Sequence, residues 1–324
     1  MSSNQPVHSP RRAARLLPAA AVVLVAACFA LTLAARWRSV ADAAWRVDPA
    51  TAALATLVLA ASFGVVAGLW AVALRSAAGL PLRRGMRIWF LANLVRYVPG
   101  NVWSFVGAVE LGRRDGAPRR VTLGVMALTQ VLSVGTAVLV GLPVLVAQGA
   151  RLGRSALGVG IAVAAAAALL LAARRPLLRR LRARYPGVRL ADVMPGPALA
   201  AGLTLGYVLY WLVAGAAFGV FAASVYPAAG QHLALAVAGF AGAYAAGFLS
   251  LVTPGGLGVR EGVLVIVLSS VMPAAVAVVV AVLARVWMMA AELVGAAVTT
   301  ALAGRSGPAS PRDAGAAPDP RDAG

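Results

Sequence analysis

The chain has 324 residues, of which 61% are hydrophobic and 12% charged, with a mean hydropathy of +0.86. A soluble domain carries roughly a quarter charged and about half apolar residues, and surface-to-volume scaling stops one core from hiding such an excess. The composition therefore excludes a soluble enzyme. The formal charge of +19 is all arginine, with no lysine, and the arginines fall in short clusters between apolar runs, which points to lipid headgroups and away from nucleic acid.

Cys28 is the one cysteine and lies in an apolar run; the two histidines are His8 and His232. A disulfide framework, a thiolate metal site and a Cys/His nucleophile pair are thus poorly supplied. Neither a metal nor another cofactor is expected. Without lysine the chain has no P-loop, so ATP bound to this chain cannot drive it.

Residues 1–15 are polar and basic, with Arg11, Arg12 and Arg15, and read as a disordered cytoplasmic tail. The apolar run 16–35 is longer than the 7–15 residues of a signal peptide core and is expected to stay as a signal-anchor helix. A second span is expected over 50–74, followed by Arg75, Arg83, Arg84 and Arg87. Next comes an apolar stretch broken by Pro99 and Gly100 and closed by Arg113, Arg114, Arg119 and Arg120. Arginines at both ends place both ends in the cytoplasm, so this segment is expected to be re-entrant.

Spans are expected over 121–147 and 155–173. A loop with seven arginines at 174–189 follows, read as cytoplasmic and interfacial. Further spans are expected over 197–220 and 232–251. A glycine-rich motif and an apolar run to Met272 come next, then a final span over 274–303. The tail 304–324, rich in Pro, Gly, Ala and Asp, reads as disordered. Together these elements predict an all-α, polytopic transmembrane bundle in one domain, residues 16–303, with about seven or eight crossings.

Two places share a local plan. Pro99-Gly100 follows an apolar helical approach and precedes Glu110; Pro254-Gly255-Gly256 does the same before Glu261. Paired interruptions of this kind mark substrate sites near the midplane in transporters. Four crossings between the motifs make them parallel; one fewer would make them inverted.

Charge at membrane depth costs about 2.5–3.5 kcal/mol per residue on the insertion scale, so it is usually paired and functional. The candidates are Arg96, Glu110, Arg260, Glu261, Arg285 and Glu292. Arg260 and Glu261 are adjacent and point apart on a helix. Arg285 and Glu292 lie two turns apart, about 10 Å, too far for direct contact. Arg285 with Glu261 is the favoured pair, followed by Arg260 with Glu292 and Arg285 with Glu110. A cluster linking both broken segments to the last helix would satisfy all of them; alternatively, Arg96 and Glu110 snorkel to the interface.

The run Pro254-Gly255-Gly256-Leu257-Gly258-Val259-Arg260-Glu261, with Arg96-Tyr97-Val98-Pro99-Gly100-Asn101-Val102-Trp103, resembles the lysylphosphatidylglycerol synthase transmembrane-region family, or flippase-like domain family. The resemblance covers roughly residues 15–304. In two-part members the membrane domain resembles a lipid flippase, and a soluble domain transfers an aminoacyl group from tRNA to the lipid. This chain is expected to be a stand-alone member without that transfer activity. The resemblance carries over Pro254, Gly255, Gly256, Gly258, Arg260 and Glu261, with Arg96, Pro99, Gly100 and Trp103, as motif positions.

The resulting expectation is a translocator of a lipid or lipid-linked anionic substrate. It would sit in a bacterial cell membrane as a multi-pass protein, with its N-terminus in the cytoplasm. The arginines would complement a phosphate, and Glu110, Glu261 and Glu292 would balance charge or hold a headgroup amine. The alternatives are an intramembrane lipid-modifying transferase with Glu261 as base, and a non-catalytic partner of a cell-envelope enzyme. Membrane lipids are the expected partners, with a homo-oligomer as a further option and no nucleic acid.

Overall fold

The structure, a computed structural model, describes residues 46–94, 103–147, 193–250, 256 and 258–304. The expected first span, the expected span at 155–173, the basic loop 174–189 and both tails (apart from Gly304, which ends the last helix) lie outside the described residues.

Eight α-helices make up the described bundle: α1 (Pro49–Ala78), α2 (Leu82–Leu94), α3 (Trp103–Arg114), α4 (Arg119–Ala147), α5 (Pro197–Val225), α6 (Leu233–Leu249), α7 (Val259–Leu268) and α8 (Ala274–Gly304). A 3-10 turn, Pro227–His232, leads into α6, and no strand occurs among the described residues. Five of the described helices, with α6 taken from Pro227, are long and apolar enough to cross a membrane. The protein is an all-α, multi-pass membrane protein.

Local chemistry sets the ends of α1. Asp48 caps it, accepting from the N–H groups of Ala50 at 3.3 Å and Thr51 at 3.2 Å, with Pro49 in the first turn, where its missing N–H costs nothing. The hydrogen bonds from Thr51 hold the Asp48 carboxyl below its usual range. Gly79 ends the helix at φ 70°, its N–H donating to the Arg75 carbonyl at 2.8 Å.

Direction follows from contacts. α1 and α5 run antiparallel, since the Asp48 N–H donates to the Ser224 carbonyl at one end and Gly206 faces Leu69 further along. α4 and α5 start together: Val193 packs on Gly124, and Val125 shares a cluster with Leu203. The end of the bundle where α1 stops and α4 and α5 begin carries Arg75, Arg83, Arg84, Arg87, Arg113, Arg114, Arg119 and Arg120. It is the basic face. Arg46 is the one described arginine near the opposite end.

α2 and α3 form a hairpin that enters from the basic face. Their 13 and 12 residues reach about 20 Å, short of the roughly 30 Å of hydrocarbon. Gly85 sits on Ala71 near that face, while Asn93 and Ser104, at the inner ends of the two arms, line one shared cavity.

α6 and α7 form the second hairpin, entering from the opposite face. α6 packs antiparallel to α5, with Gly215 against Val237 and the Tyr244 ring 4.7 Å from Trp211. A Cβ on Gly215 would fall 2.6 Å from the Val237 Cα, the close backbone approach that small residues allow between membrane helices. Leu249 lies five residues beyond Tyr244, whereas α5 continues fourteen residues beyond Trp211. α6 therefore stops roughly 13 Å short of the basic end of α5. α7 then returns along it, Gly247 meeting Arg260 and Gly239 meeting Val267.

This corrects the parallel arrangement. The stretch 232–251 counts as a crossing on hydropathy, but it is the first arm of the second hairpin and does not reach the basic face. With that crossing removed, the two hairpins are inverted.

Candidate functional site

The second hairpin holds its charged residues by backbone geometry. Gly256 has φ 69° and Gly258 φ 83°, left-handed values that side chains disfavour. The turn at Gly258 leaves its N–H at the start of α7, where it donates to Glu261 Oε2 at 2.8 Å. The other carboxylate oxygen of Glu261 accepts from Arg285 Nη1 of α8 at 2.9 Å. The structure thus brings together Glu261 and Arg285, the pair favoured from sequence. The Glu261 side chain is 6% exposed and that of Arg285 23%, so the bridge ties the inner end of the hairpin to the last helix away from bulk water.

Arg260, one residue earlier, reaches both α6 and α8. Its guanidinium lies 5.2 Å from the centre of the Phe240 ring and 5.7 Å from that of Tyr244, and Nη2 approaches Met288 Sδ at 2.9 Å. Aromatic faces attract a cation, most strongly when it is desolvated. These contacts hold Arg260 in the wall of a cavity of about 100 Å³.

Both hairpins build that cavity. Trp89 and Asn93 of α2, with Ser104 and Phe105 of α3, form one side; Phe240, Tyr244 and Arg260 form the other. Phe63 and Trp70 of α1, Gln130 of α4, Tyr207 and Tyr210 of α5 and Met288 of α8 also line it. Gln130 Nε2 donates to the Tyr244 hydroxyl at 2.8 Å, and the Trp211 indole N–H donates to the Ser133 carbonyl at 2.9 Å. These bonds fix the aromatic wall. Among the described residues, the cavity offers one guanidinium, aromatic faces, and amide and hydroxyl groups.

The remaining candidates sit elsewhere. Glu110 is partly exposed at the basic face, paired with Arg113 at 2.8 Å, Arg114 at 3.3 Å and Arg119 at 3.5 Å. The hydrogen bond from Arg113, ahead of that from Arg114, lowers its carboxyl to about 2. Glu110 therefore does not join a cluster with the last helix; its own surface arginines satisfy it. Glu292 is 2% exposed inside the bundle, two turns beyond Arg285, and does not line the cavity among the described residues. Trp103 opens α3, and Gly256 and Gly258 shape the second break. Arg96, Pro99, Gly100, Pro254 and Gly255 lie outside the described residues.

Sequence reasoning missed Trp70, Asn93, Gln130, Phe240 and Tyr244. Gln130 had a readable signal, as an amide inside a long apolar span. The aromatic residues had none, because apolar residues surround the helices that carry them.

No curated protein and no solved structure matches the chain. Residues 19–294 match the family model described as the lysylphosphatidylglycerol synthase TM region, so the chain belongs to that family.

Proposed function

We propose that this membrane protein translocates a lipid or lipid-linked anionic substrate between leaflets. The observation that carries the reading is Arg260, a guanidinium in the wall of a cavity bounded by two hairpins entering from opposite faces. Charge is costly at that depth, and where it persists it usually marks a substrate path. A lipid phosphate is its natural ligand, since guanidinium groups match phosphate oxygens in geometry and charge.

Inverted broken segments around one site support alternating access, because rocking one hairpin against the other would open the cavity to each face in turn. The Glu261–Arg285 bridge would keep the second hairpin and α8 moving together. The positive-inside rule makes the basic face cytoplasmic.

The test is a reconstitution. Full-length protein is placed in vesicles carrying phosphatidylglycerol with a dithionite-quenchable fluorophore on one acyl chain. Wild type should expose the inner-leaflet probe faster than protein-free vesicles. Arg260→Gln should slow that rate at least tenfold, whereas Glu110→Gln, at the basic face, should leave it unchanged. Equal rates for wild type and Arg260→Gln would sink the proposal, and conversion of the lipid to a new product would favour a transferase.

A further inference from the structure

We infer that the indole N–H of Trp70 is a second contact for the substrate headgroup, donating to a phosphate oxygen on the basic-face side of the cavity. The inference rests on the translocator reading and adds a binding residue to that same site.

A comparison of like groups carries it. Three tryptophans are buried among the described residues: Trp70 is 2% exposed, Trp211 1% and Trp287 5%. Trp211 donates its indole N–H to the Ser133 carbonyl and Trp287 donates to the Thr56 hydroxyl, both at 2.9 Å. The indole N–H of Trp70 meets no acceptor among the described residues, and its nitrogen is closed to solvent. Trp70 is also the one of the three that lines the cavity. A buried donor without an acceptor is costly. The bundle pairs the indole where it only packs and leaves it bare at the cavity.

Position along the membrane gives that donor its role. Leu69 packs on Gly206 of α5, whereas Tyr244, whose ring lies under the Arg260 guanidinium, packs on Trp211 five residues further along α5. Trp70 therefore lies about 8 Å nearer the basic face than the Arg260 wall. Around it, Ala92 of α2 and Ala108 of α3 line the same cavity and share a buried cluster with Trp70. Both belong to the first hairpin, so movement of that hairpin away from α1 would uncover the indole toward the basic face. A headgroup leaving the Arg260 wall would then meet a fresh donor. An indole N–H donates and cannot accept, and a charged phosphate oxygen makes a bond roughly twice as strong as a neutral oxygen does.

The experiment follows the full chain, isotope-labelled at its indole nitrogens, by NMR in maltoside micelles free of phosphate. The Trp70 signal is assigned by its loss in Trp70→Phe. Phosphatidylglycerol should move it downfield, as a new hydrogen bond does, while diacylglycerol and soluble glycerol phosphate at the same concentration leave it in place. Melting, and translocation in vesicles, are measured on the same variants. Trp70→Phe keeps an aromatic ring and removes the donor, so its melting temperature should match or exceed that of the wild type, while phosphatidylglycerol translocation falls about tenfold. Trp287→Phe, which gives up a bond already made, should melt about 2–4 °C lower.

A Trp70 signal unmoved by phosphatidylglycerol would overturn the inference even if the wild type translocates. So would a fall in the melting temperature of Trp70→Phe equal to that of Trp287→Phe. An equal shift with diacylglycerol would assign the acceptor to an ester carbonyl and overturn the phosphate contact; an equal shift with glycerol phosphate would overturn the lipid class. The expected shift in a wild type that does not translocate would retain the contact and overturn the translocator reading alone.

Discussion

Glu261→Gln, Arg285→Gln and the double variant test whether the bridge between α7 and α8 holds the second hairpin. The two side chains meet at 2.9 Å, one 6% and the other 23% exposed. Removing one member of a buried pair strands the other charge and costs about 3–5 kcal/mol. Two features pull the cost of Glu261→Gln in opposite directions. Arg285 is the more exposed and can turn its head toward water once Glu261 is gone, which lowers the cost of Glu261→Gln. Glu261 also accepts from the Gly258 N–H, so Glu261→Gln loses a charged helix cap of about 1 kcal/mol as well. Each single variant should therefore lose about 3 kcal/mol, and the double variant about 4 rather than 6. The expected coupling is about 2 kcal/mol, within the range for residues in contact. Equilibrium unfolding in mixed detergent micelles, followed by helical circular dichroism, gives all four stabilities. Additivity within about 0.5 kcal/mol would refute the reasoning, because independent sites add to that precision.

Gly256→Ala should destabilise by about 2–5 kcal/mol, from a left-handed backbone costing about 1–2 and overpacking of about 1–3. Its Cβ would fall 2.6 Å from the Gly247 Cα and 2.7 Å from the Gly247 carbonyl oxygen. Gly68→Ala, where a Cβ meets nothing within 4 Å, is the control, and equal stabilities for the two variants in the same unfolding assay would show that the glycine contact is not needed. In a Cys28→Ser background, Arg84→Cys and Arg114→Cys should label from one side of the membrane and Ser270→Cys, in the exposed turn before α8, from the other. Labelling of all three from one side would rule out the inverted hairpins.

Much of the fold is legible in the chain order of hydrophobic and basic residues, because the bilayer acts on each segment almost independently. A segment either satisfies its own backbone in hydrocarbon or it does not, so the long helices α1, α4, α5 and α8 stand out on apolar length alone. Arginine clusters around residues 83–87 and 113–120 likewise reveal the first hairpin, since charge holds both its ends at one face. The cost of buried charge also singles out Glu261 and Arg285 as partners, as no neighbour on either helix is placed to neutralise them.

Tertiary structure decides what depends on one element's position against another. α6 from its 3-10 lead-in has the length and hydropathy of a crossing, yet its packing on α5 shows that it stops inside the bundle. That single difference turns parallel motifs into inverted ones. Glu292 lies among apolar residues in the sequence and only helix packing buries it, whereas Glu110 is satisfied by arginines three and four residues along its own helix. The walls of the cavity come from helices apolar around much of their circumference, so periodicity cannot mark which face of α1 turns Trp70 inward or which face of α6 offers Tyr244 to Gln130. Hydropathy determines that a helix enters the membrane; the face it turns inward and the depth at which it stops are properties of the neighbours it packs against.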